Sequence, residues 1–199
     1  MDSQTIERIS RLHPSVRNEV SKIINECDKA LTGRAKVRIT QGLRTFEEQQ
    51  KLYNQRPKVT NAKAGQSVHN YGFAVDICLI IDGKVASWDT AKDWDNDKIA
   101  DWYEVVKIFA KYGWEWGGNW KNFKDMPHFE KTSGLSLKQI QDKYKNKVIF
   151  LNQEVDNKFV HQISNSCQDY YINYQIISRT SEFKKFAQIY FIMIISQIH

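Results

Sequence analysis

Two short segments carry side chains able to share one metal ion. The first, Ser67-Val-His69-Asn-Tyr-Gly72-Phe-Ala74-Val-Asp76, sets a histidine in a glycine-marked turn and a carboxylate seven residues later inside an apolar run. The second, Asp125-Met-Pro127-His128-Phe-Glu130, sets a carboxylate three residues before a histidine, with proline stiffening the link. Two imidazoles and a carboxylate, His69, His128 and Asp76, suit a single zinc ion, and three protein ligands leave one position open for water, as in a catalytic site. Asp125 is then the candidate general base, removing a proton from water as it attacks a carbonyl and returning it to the leaving amine. Singly, each residue has a plainer reading: His69 and His128 as surface or turn histidines, Asp76 as a buried ion-pair partner of Arg44 or Arg38. Their combination reverses the balance, because an unpaired carboxylate in so apolar a strand is very costly.

Arg44 stands where a strand ends and a helix begins. It could neutralise Asp76, bind a substrate carboxylate or hold the oxyanion of peptide cleavage. Cys78 reads as a small core residue rather than a ligand, and His13, His161 and His199 have no comparable setting. The run Gly113-Trp-Glu-Trp-Gly-Gly-Asn-Trp120 is aromatic and glycine-rich, with Trp120 expected as an exposed ring on a cleft.

The elements that position these residues follow from periodicity. Val16, Val20, Ile23, Ile24, Cys27 and Leu31 recur at helical steps, predicting a helix over Ser15–Leu31 that starts after His13-Pro14. Lys36–Thr40 alternates as a strand, and Thr45-Phe-Glu-Glu48 is a capping box opening a short helix through Tyr53. The segment from Asn54 to Ser67 is a long polar loop, expected to border the cleft. Ala74–Ile81 reads as a buried strand in which Phe73, Val75, Ile77 and Leu79 face one way and Ala74, Asp76 and Cys78 the other. Asp82-Gly83 turns the chain into Lys84–Ser87. Asp95 is expected to cap a helix carrying Ile99, Trp102, Val105, Val106, Phe109 and Tyr112, which Gly113 ends. Met126–Lys131 forms a last strand, and Ser136-x-x-Gln139 caps a final helix. Helices and strands do not alternate strictly, so the class is α+β with a small antiparallel sheet flanked by helices.

The chain has 199 residues, with 41% apolar and 26% charged, a composition of globular rather than disordered or fibrous proteins. A net charge of +6 falls short of a nucleic-acid-binding signature. Three cysteines without C-x-x-C spacing exclude a disulfide framework or thiolate zinc knuckle. The charged start, MDSQTIERIS, does not read as a signal peptide. The most apolar run, Phe186–Ile198, is shorter than the roughly 20 residues of a membrane span. Glycine and proline stop at Gly134 and Pro127, and residues 148–199 are charge-balanced and rich in Ile, Asn, Gln and Tyr. Two regions are therefore expected: a catalytic domain over 1–147 and an accessory or adventitious tail over 148–199.

The strings QGLRTFEEQQKLY, SVHNYGFAVDI and GWEWGGNWKNFKDMPHFE together resemble the zinc peptidases of the VanY and D-alanyl-D-alanine carboxypeptidase family, above all its L-alanyl-D-glutamate endopeptidase branch in phage endolysins. The resemblance covers about residues 10 to 145, with the arginine, S-x-H-x-x-G-x-A-x-D and D-x-P-H-F in the family's order. It implies the Hedgehog/D,D-peptidase fold, with His69, Asp76 and His128 as zinc ligands, Asp125 as catalytic base and Arg44 orienting substrate or stabilising the transition state. It also implies hydrolysis of the peptidoglycan stem peptide between L-alanine and D-glutamate. Asp125 and Pro127 stand where carboxypeptidase members often show glutamate and tryptophan, which favours the endopeptidase branch over a D,D-carboxypeptidase. The presence of Asp125 weighs against a non-catalytic zinc-containing wall-binding module. Without a leader, such an enzyme is expected to stay cytoplasmic until a holin-like partner or lysis releases it to the wall.

Overall fold

The structure, a computed structural model, describes residues 1–146; the tail expected over 148–199, with Cys167, His161, His199 and the apolar run Phe186–Ile198, lies outside the described residues. Strand β2 (Ala74–Ile81) organises the sheet. Along one edge it pairs antiparallel with β1 (Ala35–Gln41). Along the other it pairs with β5 (His128–Glu130) at its start and β3 (Val85–Ser87) at its end. The two-residue β4 (Glu115–Trp116) joins the outer side of β5, giving an all-antiparallel five-stranded sheet. The α+β class read from the sequence is the class observed.

One face of β2 makes the core. Val75, Ile77, Leu79 and Ile81 are almost fully buried against helices α2 (Pro14–Ala30) and α4 (Asp101–Lys111). There Phe109 stacks on Phe129 at 4.2 Å and meets Trp114 edge-on at 5.6 Å. The alternation anticipated for this strand holds, so Asp76 leaves on the face opposite this core. Asp82 and Gly83 both take positive φ (51° and 71°) in the three-residue connection to β3, where Lys84 N–H donates to the Ile81 carbonyl at 3.0 Å.

The capping box of α3 (Phe46–Asn54) forms as expected: Glu48 N–H donates to the Thr45 hydroxyl and Thr45 N–H to the Glu48 carboxylate. Ser136 and Gln139 make the corresponding pair before a helix running from 137 to the end of the described residues. Two short elements carry too weak a pattern to be read from sequence. One is β4; the other is α1 (Ser3–Ser10), capped by Asp2, which accepts from Thr5 N–H at 2.8 Å and pairs with Arg38 at 2.7 Å. No helix among the described residues is long and apolar enough to cross a membrane.

The start of α4 differs from expectation. Asp95 is not its N-cap; the helix begins at Asp101 after Ala100, and Ile99 is exposed. The cause is local. Asp93 accepts from the backbone N–H groups of Asp95, Asn96 and Lys98, and Asn96 and Lys98 hold φ of 64° and 77°, a conformation that competes with helix.

Gly72 fixes the entry to β2. It sits at φ 73°, and a Cβ there would meet the backbone nitrogen of His13 at 2.5 Å, because His13 N–H donates to the Gly72 carbonyl. Gly72→Ala is expected to destabilise the domain by about 3 kcal/mol, combining left-handed strain with backbone displacement. A urea midpoint equal to that of the parent chain would show that the turn relaxes freely.

Candidate metal centre and active site

Register brings the site together. Asp76 on β2 lies directly opposite His128 on β5, and directly opposed residues of an antiparallel pair project from the same face. His69 stands on a single 3₁₀ turn (Val68–Tyr71) just before β2, closed by Gly72. On the other edge β1 bulges between Ile39 and Gln41, so that Gln41 is the residue opposite Asp76.

The three expected ligands converge. His69 Nε2 is 3.1 Å from Asp76 Oδ1 and 3.1 Å from His128 Nδ1, and His128 Nδ1 is 3.0 Å from Asp76 Oδ1. The outward side of each ring is committed elsewhere. His69 Nδ1–H donates to the Gly42 carbonyl at 2.8 Å, and His128 Nε2–H to the Glu130 carboxylate at 2.9 Å. Neither acceptor can itself donate, so in the neutral rings the inward nitrogens are bare lone pairs. Two lone pairs and a carboxylate oxygen thus face one another at hydrogen-bond distance with no proton of their own to share.

That donor set fits a cation. Donors arranged tetrahedrally about zinc at 2.0–2.2 Å stand roughly 3.3–3.5 Å apart, close to the spacing here. Without a cation the site compensates with protons. Burial opposes charge on His128, yet its hydrogen bonds to Asp76 and Glu130 outweigh this and hold its pKa up at about 9. Burial likewise opposes charge on Asp76, but His69 and His128 outweigh it and hold its carboxyl well below the usual range. A dication supplies in one step the positive charge that this cluster otherwise draws from protons.

Asp125 comes to the edge of this cluster through a close backbone approach. Its N–H donates to the Gly117 carbonyl at 3.1 Å, and a Cβ on Gly117 would stand 2.5 Å from the Asp125 carbonyl oxygen. Its carboxylate has no hydrogen-bond partner among the described residues. Burial raises its pKa and the charge of Asp76 adds to this, while His128, His69 and Arg44 pull the other way without cancelling it.

Arg44 resolves one of the open readings. Its Nη2 is 3.4 Å from Asp76 Oδ2 and its Nη1 donates to Gln49 at 2.9 Å, whereas Arg38 is paired with Asp2. The Nε of Arg44 is buried without a partner. Beside it opens a cleft of about 610 Å³ lined by Gln41, Glu48, Lys51, Leu52, Asn54 and Gln55, so the start of the polar loop does border a groove.

The supporting residues were not anticipated. Glu130 orients His128, and the H-x-E spacing on a strand places both side chains on one face, a signal present in the sequence. Gln49 is fully buried, joining Arg44 to the Ala62 carbonyl. Buried Asn70 donates to the Arg44 and Thr45 carbonyls and accepts from Gly65 and Ser67. Nothing in the local pattern distinguishes Gln49 from its neighbours Glu48 and Gln50. Trp120, expected exposed, is instead half-buried, its ring 5.0 Å from that of His128; the exposed tryptophan is Trp88. Cys78 is a buried free thiol, as expected.

This geometry agrees with similarity to known proteins. A family profile described as D-alanyl-D-alanine carboxypeptidase matches residues 60–131. The peptidoglycan L-alanyl-D-glutamate endopeptidase CwlK of Bacillus subtilis is 42% identical over 127 residues, covering 61% of this chain and 74% of CwlK. The chain therefore belongs to the D-alanyl-D-alanine carboxypeptidase-like family of peptidases. Among solved structures, the L-Ala D-Glu endopeptidase ChiX of Serratia marcescens is 22% identical, covering 66% of this chain and 89% of that one, with a TM-score of 0.48. The L,D-carboxypeptidase DacB from Streptococcus pneumonia is 20% identical, covering 67% and 72%, with a TM-score of 0.42.

Removing the outer carboxylate tests the histidine geometry. Glu130→Ala is expected to lower zinc affinity about 10- to 100-fold, measured by competition with a chromophoric chelator, with Glu130→Gln recovering part of the loss. Unchanged affinity in Glu130→Ala would show that another group fixes His128.

Proposed function

We propose that this chain is a zinc-dependent peptidase that cleaves the peptidoglycan stem peptide at the L-alanyl-D-glutamate bond. The observation that carries the proposal is the convergence of His69 Nε2, Asp76 Oδ1 and His128 Nδ1 within 3.1 Å, each ring holding its remaining N–H away from the centre. The bond assignment is supported by the 42% identity to an enzyme of that specificity.

In this reading His69, Asp76 and His128 hold the ion. Zinc, when bound, supplies Lewis acidity that makes water a nucleophile near neutral pH and polarises a carbonyl. Asp125 receives the proton of the attacking water at its unpartnered carboxylate and passes it to the leaving amine. Arg44, held by Asp76 and Gln49 beside the cleft, supplies the positive charge that orients substrate or stabilises the developing oxyanion. Glu130 and the Gly42 carbonyl hold the ring tautomers throughout.

Mass spectrometry of muropeptides released by the purified chain tests the reading. Fragments with a new N-terminal D-glutamate are expected, lost with a chelator and restored by zinc. Asp125→Asn is expected to reduce turnover by about 10²- to 10⁴-fold with zinc still bound. Release of free D-alanine instead would make the enzyme a D,D-carboxypeptidase, and full activity in Asp125→Asn would remove that residue from the mechanism.

A further inference from the structure

A second group of acidic side chains lies outside this site, in the loop that displaced the expected start of α4. Asp93, Asp95 and Asp101 bring carboxylate oxygens within 4.8 Å of one another, and Asp95, Asp97 and Glu104 do the same. Some of these oxygens are accounted for. Asp93 accepts from the N–H groups of Asp95, Asn96 and Lys98, and Asp97 from Ile99 N–H. Asp95 Oδ2 accepts from the Thr32 N–H and hydroxyl, and Asp101 Oδ1 from Trp94 N–H at 2.8 Å.

Others are not. Asp101 is fully buried, and its Oδ2 has no partner. Asp95 Oδ1 and Glu104 Oε2 are buried and unpartnered as well. Among the described residues no lysine or arginine forms an ion pair with any of the five. Orphaned oxygens on three carboxylates of one cluster cost free energy that a cation would remove.

The donors are all oxygen, which selects a hard cation over zinc. Their order along the chain is also informative. Asp93, Asp95, Asp97, Asp101 and Glu104 occupy the first, third, fifth, ninth and twelfth positions of a loop leading into a helix, the side-chain ligand positions of a calcium loop of the EF-hand type. The sixth position, usually glycine, is Lys98, which nonetheless adopts the left-handed turn at φ 77°.

We propose that Asp93, Asp95, Asp97, Asp101 and Glu104 form a calcium site that ties the loop before α4 to the first turn of that helix. Binding there is independent of the His69–Asp76–His128 centre and fastens α4, whose Trp102 and Phe109 fill the core.

Calorimetric titration and thermal unfolding of the full chain, zinc-loaded, with calcium alone and with magnesium alone, test this. Calcium is expected to bind saturably, one ion per chain, and to raise the unfolding midpoint, with magnesium much weaker. Glu104→Gln is expected to weaken calcium binding on the order of tenfold or more while its calcium-free midpoint stays at or above that of the parent, since one unpaired buried charge is gone. His69→Ala is expected to keep calcium binding. No saturable binding up to about 10 mM calcium, the weak end of such loops, would overturn the site. So would equal responses to magnesium, unchanged affinity in Glu104→Gln, or loss of calcium binding in His69→Ala. None of these outcomes bears on which peptide bond is cut.

Discussion

Asp76 is the only polar residue in the strand AVDICLII, and burial penalises its charge. Much of the site can be understood as the means of keeping that carboxylate ionised. His69 comes from the turn before the strand, His128 from the strand opposite, and Arg44 from the strand-to-helix junction beyond the β1 bulge. Each brings positive charge or hydrogen-bond capacity to an atom that water reaches poorly. His69 and His128 offset the cost of burying the carboxylate and Arg44 lies against its other oxygen, so the apolar strand that forms the core also favours the meeting of these side chains.

The backbone contributes as much as the side chains. Arg44 N–H donates to the His69 carbonyl at 3.0 Å, and Asn70, next to His69, holds the Arg44 and Thr45 carbonyls. The cap of α3 and the histidine turn are thus one hydrogen-bonded unit. On the opposite side, Gly117 admits the Asp125 backbone to within a distance that any Cβ would forbid. Asp125 is positioned by main-chain contacts, and its carboxylate makes no hydrogen bond among the described residues.

Periodicity and turn chemistry carried much of this in advance. Strand β2 runs over the residues its apolar run marked, α3 opens at its capping box, His69 lies in its glycine-marked turn, Asp76 inside the strand and Arg44 at the strand-to-helix junction. What local pattern does not contain is register. That His128 faces Asp76, and that Gln41 rather than Thr40 lies opposite it across a bulge, depends on strand pairing between distant segments. Gln49 and Asn70 look like ordinary polar residues until tertiary contacts bury them. The start of α4 was obscured for a different reason: Asp95 has the chemistry of a cap, but Asp93 had already gathered the backbone N–H groups around it into turns.

His128 sits on a strand of only three residues wedged between β2 and β4. His69, Asp76 and Arg44 all lie within one stretch of chain, but His128 arrives about fifty residues later and depends on β5 docking. Before β5 docks, the chain brings together only two of the three donors of the proposed set. An ion held by the proposed set would by linkage favour the docked form of β5, the strand that joins β4 to β2.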